Sequence, residues 1–565
     1  MSEPSIRRWD RETALLAWVT ACVSVFSFLY YFRHGDILLY GDAVAHINIA
    51  RRVFDSRTPG LLQLGTVWLP LPHLLMIPFI LVDNLWRTGA GASIPSMTAF
   101  VFGTLGIFRL VRGALDFSHS DITARIAAWG AAVIYAANPN LIYLQTTAMT
   151  ELLYMALFIW AVVHFSEFVW DASDRADARA ANASSSLLKC GLCLAAGCLT
   201  RYDGWMVAAV VTAIVLIMTL LWKQNGEENH RVLRRSVMKL VLLAMAGPVL
   251  WLAYNAIVYR NPLEFANGPY SAKAIELKTP GASHPGSHDL PVAFSFVLKS
   301  AELNQASGSW QRLWIVLAFA GAIVCLTGGM GSKRTSDSSQ TAPRSRLWPL
   351  LLLLIPLPFY VLSVAYSGVP IFVPVWWPFS YYNVRYGLEL LPAFAVFAAV
   401  TAHFVAGRSG SLPVRIGIGT AMLIVVAASY AFIWRTPICL EEARINSRTR
   451  MGLERELADF VKALPHDSNI LMYLGDHVGA LQQAGIPLRR VINEGNHRTW
   501  KQPVDSEGLW ERALLNPTHY ADFVIAFDGD AVSTGLQKQD LFPLAVIHVS
   551  GQPKATIYQA HRNLR

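Results

Sequence analysis

Apolar runs close to the length of a bilayer crossing recur through the first three quarters of this chain, and they leave few folds open to it. They lie at 13–32, 93–111, 122–138, 150–170, 186–200, 205–222, 237–258, 312–330, 347–367, 386–406 and 413–434. About 20 consecutive apolar residues cross a hydrocarbon core as a helix. In lipid, every backbone N–H and C=O must be satisfied within its own segment, so the series predicts a bundle of membrane helices. The residue balance agrees. Of 565 residues 54% are hydrophobic and 15% charged, where a soluble domain carries roughly 25% charged residues.

A twelfth apolar stretch, 67–85, contains Pro70, Pro72 and Pro78, and its placement decides the topology. Basic residues gather in alternate loops. The groups are Arg7, Arg8 and Arg11, then Arg109, Arg112 and Arg125, then Arg175, Arg179 and Lys189. Lys223, Arg231, Arg234, Arg235 and Lys239 follow, then Lys333, Arg334, Arg344 and Arg346, and finally Arg408 and Arg415. If 67–85 crossed fully, the later groups would face outward. If it is a re-entrant or surface segment, every basic loop is cytoplasmic, as the positive-inside rule requires. The expectation is eleven crossings in the cell (inner) membrane, with the N-terminus cytoplasmic and the C-terminal part extracytoplasmic. The basic start and first apolar run lack a small-residue cleavage site and read as a retained anchor.

The net charge of +9 sits in these loops, with no helix of interleaved basic and aromatic residues, so nucleic acid is not an expected partner. Five of six cysteines lie in spans and only Cys439 lies outside them. Cys190 and Cys193 form a C-x-x-C on an apolar helix, where buried thiols are ordinary. The stretch 331–346 reads as a disordered linker. Residues 1–435 are assigned to the membrane part and 436–565 to an extracytoplasmic domain. The latter has strand-like runs at 470–473, 490–492, 523–527 and 544–549 and helical stretches near 441–463 and 478–484. The expected fold class is therefore an all-α polytopic membrane protein, with outer-surface helices and a small C-terminal α/β domain.

The candidate functional residues gather in the outer loops. In the first, Asp42 stands in Tyr40-Gly41-Asp42-Ala43-Val44-Ala45-His46. An acid at the edge of a multi-span protein is costly to hold there and is a functional candidate by default. Residues 42–55 read as an amphipathic helix on the membrane surface. Ala43, Ile47, Ala50 and Phe54 form its apolar stripe, and Asn48, Arg51, Arg52 and Asp55 face the other way. Asp42 at its start also fits a simple helix cap. His46, one turn on, suits a metal shared with Asp42, but two ligands are too few to define one. His73 follows in Trp68-Leu69-Pro70-Leu71-Pro72-His73; both histidines are candidate substrate contacts.

In the second loop the one acid is Glu151, after Asn138-Pro139, and capping is its alternative role. In the third turn, Thr200-Arg201-Tyr202-Asp203, Arg201 and Asp203 either pair with each other or meet a phosphate or sugar. In the fourth, Tyr382-Asn383-Val384-Arg385-Tyr386-Gly387-Leu388-Glu389, the planar fork of Arg385 suits phosphate. Its alternative is a pair with Glu389 one helical turn away. The loop of about 259–311 is long and rich in Gly and Pro, and suits either a plain surface loop or a mobile lid bearing Tyr270 and a Lys273 that reaches a phosphate.

The order and sidedness of these features resemble the GT-C superfamily of membrane glycosyltransferases, which includes protein O-mannosyltransferases, lipid A aminoarabinose transferases and oligosaccharyltransferase catalytic subunits. The resemblance rests on Gly41-Asp42 with its surface helix, on Glu151 after Asn138-Pro139, and on Arg385-Tyr386 followed by Leu391-Pro392. It implies that Asp42 is the catalytic carboxylate, that Glu151 assists it or a divalent metal, and that Arg385 grips the donor phosphate. The implied partners are a polyprenyl-phosphate-linked sugar donor, membrane lipid, and a glycan, lipid or protein acceptor. Oligosaccharyltransferases tend to carry a paired acid motif in the second loop, whereas Glu151 stands alone. Trp376-Trp377-Pro378 lies in a membrane loop. Transfer of a monosaccharide is therefore the expectation.

The chemistry is also coherent by itself. A polyprenyl phosphate leaves readily once Arg385, with Arg201 or Lys273, holds its charge. Asp42 would take the proton of the acceptor hydroxyl. One displacement inverts the sugar. The rival readings are a lipid or sugar flippase, which needs ionisable groups along a mid-span path, and a non-catalytic assembly subunit.

Overall fold

The computed structural model describes residues 10–115, 122–172, 177–221, 227–278, 283–328, 344–409, 411–475, 477–497, 506–536 and 541–560. Arg7, Arg8, Arg175, Lys223, Lys333, Arg334 and the linker residues 331–343 lie outside the described residues.

Among the described residues, nine helices are long and apolar enough to cross a membrane. They begin with Arg11–Arg33, Ala90–Leu115 and Glu151–Asp171, and continue with Asp203–Leu221, Val232–Tyr259, Trp310–Thr327, Trp348–Tyr366 and Val384–Gly407; the last begins at Leu412. The other two expected crossings are helices as well. Ile122–Ala136 has only 15 residues, and Asp177–Cys198 opens with a polar turn. The proline-bearing stretch forms the helix Pro70–Ile80, whose 11 residues reach roughly 16 Å at 1.5 Å each, too short to cross.

The first-loop helix forms over Gly41–Arg52, but it does not lie on a membrane surface with a wet polar face. Ala43, Ile47 and Ala50 are fully buried, and so in effect are Asn48, Arg51 and Asp55 on the opposite side. The C-terminal domain covers that side. Asn48 Nδ2 donates to Gln482 Oε1 at 2.6 Å, and Asp55 accepts from the Leu488 and Arg489 backbone N–H groups. Arg51 is satisfied by Asp55 at 2.8 Å and by the Ile80 carbonyl at 2.9 Å. The amphipathic pattern was a polar interface between two protein layers.

The C-terminal domain is built on a five-stranded sheet of order β2-β1-β3-β5-β4. Its strands are β1 Ile470–Met472, β2 Val491–Ile492, β3 Phe523–Phe527, β4 Phe542–Ile547 and β5 Ala555–Gln559. β1 pairs parallel with β2 and β3, while β5 runs antiparallel to β3 and β4. The sequence reading found the first four and missed β5. One apolar core runs unbroken from the membrane helices into this sheet, through Leu453, Leu457, Ile470, Met472 and Ile525. The helix Ile438–Lys462 makes the connection. It starts against the loops of the bundle and ends against the sheet.

Candidate active site

Four loops and the start of the helix Ile438–Lys462 converge on two arginines. Arg385 lies in the 3-10 helix Val384–Leu390. Its Nη2 donates to Asp42 at 2.6 Å, its Nε to Glu151 at 3.0 Å and its Nη1 to Glu442 at 2.9 Å. Its backbone N–H also donates to Glu442, at 3.2 Å. The guanidinium lies over the rings of Tyr40 and Tyr386, each 5.1 Å away. Three of its five N–H donors are used by the three carboxylates, which leaves two.

Arg201 is the second centre. Its Nη2 donates to the Tyr360 hydroxyl at 2.8 Å and its Nη1 to Thr150 Oγ1 at 3.2 Å. Its Nε meets Asp203 at 3.3 Å, and Tyr360 in turn donates to Asp203 at 2.9 Å. Arg201 also approaches Glu151 at 3.3 Å and Glu389 at 3.9 Å. Glu151 thus bridges both arginines, and the Tyr386 ring lies against both guanidinia.

Local structure explains the placement. Asn138 caps the short helix Pro139–Leu144, accepting from Asn140 and Leu141 N–H groups at 3.0 and 3.2 Å. This turns the chain so that Glu151 opens the next span pointing at the arginines. Asp42 is the second residue of its helix, whose cap residue Tyr40 makes no side-chain capping bond. Asp42 is therefore not a cap, and its carboxylate goes to Arg385.

Several expected pairings are corrected. Arg385 does not pair with Glu389, because the segment is 3-10 rather than α-helical. At three residues per turn, positions four apart diverge by about 120° instead of about 40°. Both Glu389 oxygens are buried without a hydrogen bond. Arg201 and Asp203 do pair, but buried rather than exposed, with side chains 15% and 1% accessible. His46 does not join Asp42. Its Nδ1 lies 2.9 Å from His73 Nε2, one ring donating and the other accepting. Burial first, then the charges of Arg201 and Arg385, pushes His46 down to about 3, so the ring is neutral at physiological pH. Burial holds His73 well below the ordinary range too. Among the described residues no group of three or more His, Cys, Asp or Glu is arranged to hold a metal ion.

Other sequence candidates lie outside the two-arginine cluster. The Tyr202 hydroxyl donates to the Val67 carbonyl at 2.9 Å, and its ring stacks on Phe265. Tyr270 is 43% exposed, and Lys273 is exposed on the helix Ala272–Lys278. The sequence reading missed Tyr40, Tyr360 and Glu442. Glu442 had a usable signal: like Asp42, it is an acid placed just beyond a span. Tyr360, inside a span, had none.

Comparison with family models found no match, and no curated protein sequence matches the chain. Among solved structures, ArnT from Cupriavidus metallidurans bound to undecaprenyl phosphate matches with a TM-score of 0.52 at 12% identity, over 95% of this chain and 98% of that one. An apo oligosaccharyltransferase from Archaeoglobus fulgidus matches with a TM-score of 0.47 at 11% identity, over 93% of this chain and 70% of that one. The first likeness covers membrane helices and C-terminal domain alike, and by it the chain shares the fold of that protein.

Proposed function

We propose that the chain is an inverting glycosyltransferase that moves a sugar from a polyprenyl-phosphate carrier to an acceptor hydroxyl at the outer face of the membrane. The observation that carries this reading is the difference in access among the carboxylates. Asp42 is 42% accessible, while Glu151 and Glu442 on the same guanidinium are each 1% accessible. Asp203 and Glu389 around Arg201 are equally closed. One acid is thus open to an incoming hydroxyl and fixed by a buried guanidinium. The other four serve as supports.

In the proposed step Asp42 takes the proton of the acceptor hydroxyl. The acceptor oxygen bonds to the anomeric carbon as the bond from that carbon to the phosphate oxygen breaks. The carrier leaves as polyprenyl phosphate with the bonding pair, and the configuration inverts. The two N–H donors of Arg385 not taken by carboxylates are assigned to the phosphate, with Arg201 as the further cationic group. The carrier class agrees with the undecaprenyl phosphate bound in the solved ArnT. Glu151 and Glu442 fix the fork on which Asp42 rests, and pre-set geometry of this kind lowers the barrier by avoiding reorganisation.

The test is sugar transfer by the purified chain. Asp42→Asn preserves shape but removes the proton acceptor, so turnover should fall by roughly two to four orders of magnitude with donor binding retained. Near-parental turnover would remove Asp42 from the mechanism. Lipid flux into vesicles without transfer would favour a flippase instead.

A further inference from the structure

The helix that presents Asp42 also forms one wall of a cavity of about 320 Å³ between the membrane bundle and the C-terminal domain. Pockets that hold small ligands start near 300 Å³, so this one has room for one or two sugar-sized rings. The helix contributes Ala45, Ile49 and Arg52. These lie three, seven and ten residues after Asp42, on one helical stripe, and Ala45 is about 5 Å along the axis from it. The cavity therefore opens along the same side of the helix as the proposed base.

Its walls combine two kinds of surface. Trp68, Tyr259, Tyr270 and Tyr473 supply aromatic faces. Arg52 and Glu494 supply opposite charges, with Nη1 and Oε1 3.6 Å apart and both side chains largely buried. Glu494 is anchored by the Leu474 N–H at 2.9 Å. Trp68 also packs on His46, with ring centroids 4.7 Å apart, which ties the cavity wall to the turn after Asp42. Aromatic faces take the C–H face of a sugar ring, and a carboxylate beside a guanidinium takes adjacent hydroxyls as acceptor and donor. An acyl chain would offer nothing to Arg52 Nε, which is buried without a hydrogen bond.

We infer that this cavity is a saccharide-binding site, holding a ring of the acceptor glycan or the sugar of the lipid-linked donor between its aromatic walls and the Arg52–Glu494 pair. Its use in transfer rests on the function proposed above, but its binding chemistry does not. The experiment therefore reads binding without turnover. The full chain in lipid nanodiscs is probed by saturation-transfer NMR with free glucose, galactose, mannose, rhamnose and N-acetylglucosamine and their disaccharides. At least one sugar should receive saturation on its ring C–H protons. Tyr473→Ala, the cavity-filling Ala45→Phe and the isosteric Glu494→Gln should each weaken that binding about tenfold or more, with Glu494→Gln still able to accept from Leu474. Undecaprenyl-phosphate-linked glucose then separates the sources. If it displaces the free sugar, the site belongs to the donor; if both bind together, it belongs to the acceptor. Absence of binding by every sugar, or binding indifferent to all three variants, overturns the inference. A chain that binds sugar here but transfers none would refute the transferase reading and leave this one standing.

Discussion

The Arg385 guanidinium lies between Tyr40 and Tyr386 with Asp42, Glu151 and Glu442 on its three nitrogens. A residue chosen in the sequence for its fit to phosphate is thus also the support that orders the acids. The two roles separate by experiment. Removing one partner of a buried ion pair leaves an uncompensated charge and costs about 3–5 kcal/mol. Arg385→Ala strands Glu442 and leaves Glu151 with Arg201 alone, and should lower unfolding stability in detergent by about that order. Arg385→Ala combined with Glu442→Gln removes one stranded charge. It should recover part of the loss, with a coupling of about 1–3 kcal/mol between the two sites. If Arg385→Ala unfolds at the parental midpoint and only donor binding falls, Arg385 serves the phosphate alone. Lysine is a poor substitute at this position, because one ammonium cannot reproduce a fork whose three nitrogens donate to three different carboxylates.

At the scale of elements, the pitch of one short segment explains much of what the sequence hid. Val384–Leu390 winds as a 3-10 helix, whereas its apolar pattern reads equally well as the first turns of the α-helix Leu391–Gly407. The tighter pitch turns Glu389 away from Arg385 and leaves Arg385 facing the first and second loops. The segment is held by the helix Leu290–Gln305, where Ser300 Oγ and Asn304 Nδ2 donate to the Val384 carbonyl at 2.7 and 2.8 Å. Gly387 lies flat on that helix, so that a Cβ there would collide with the backbone of Ser300 and Ala301. Gly387→Ala should therefore push the segment off its support and displace Arg385. The expected result is a loss of sugar transfer of about 100-fold, as for a misplacement of about 1 Å, together with a lower unfolding midpoint. Parental transfer by a stable Gly387→Ala chain would show that this contact does not set the site. Span positions were legible because hydropathy alone specifies them, and Asp42, Glu151 and Arg201 because polar residues at span edges are scarce. Pairings across loops were not, since they depend on pitch and on the far-off helix Ile438–Lys462. Nothing local to Glu442 in the sequence shows which loop it meets.

For the whole molecule, the cluster constrains the path of the chain. Asp42, Glu151, Arg201, Arg385 and Glu442 lie within one set of polar contacts, so the crossings between each successive pair must be even in number. Ala90–Leu115 carries the chain away after Asp42, and Ile122–Ala136 has to bring it back to Glu151. Glu151–Ala172 leaves again, and Asp177–Cys198 has to return it to Arg201. The two helices that fall short of a free-standing span in length or hydropathy are thus expected to cross, which gives eleven crossings among the described residues. Ile122–Ala136 meets this need while short because Ala124, Ala127, Ala128, Ala131 and Ala132 pack it among its neighbours. The opposite end carries the basic loops, where Arg109 meets Glu167, and Arg112 and Arg125 meet Asp10 and Glu12. The positive-inside rule predicts that this end is the cytoplasmic one. Single cysteines at positions 231 and 336 should then react with a membrane-impermeant reagent only after the cell membrane is opened, and cysteines at positions 270 and 529 in intact spheroplasts. The sites are suited to the measurement: Tyr270 is 43% exposed, and Gly529 is exposed in the turn after β3. Four of the six native cysteines are buried, and replacing Cys22 and Cys193 removes the remaining background. Labelling at position 231 in intact spheroplasts would reverse the orientation, and would place the Asp42 cluster on the side where the proposed extracytoplasmic acceptor is absent. Labelling at 270 without 529 would break the single-sided cluster, because Tyr270 and the C-terminal domain line the same cavity.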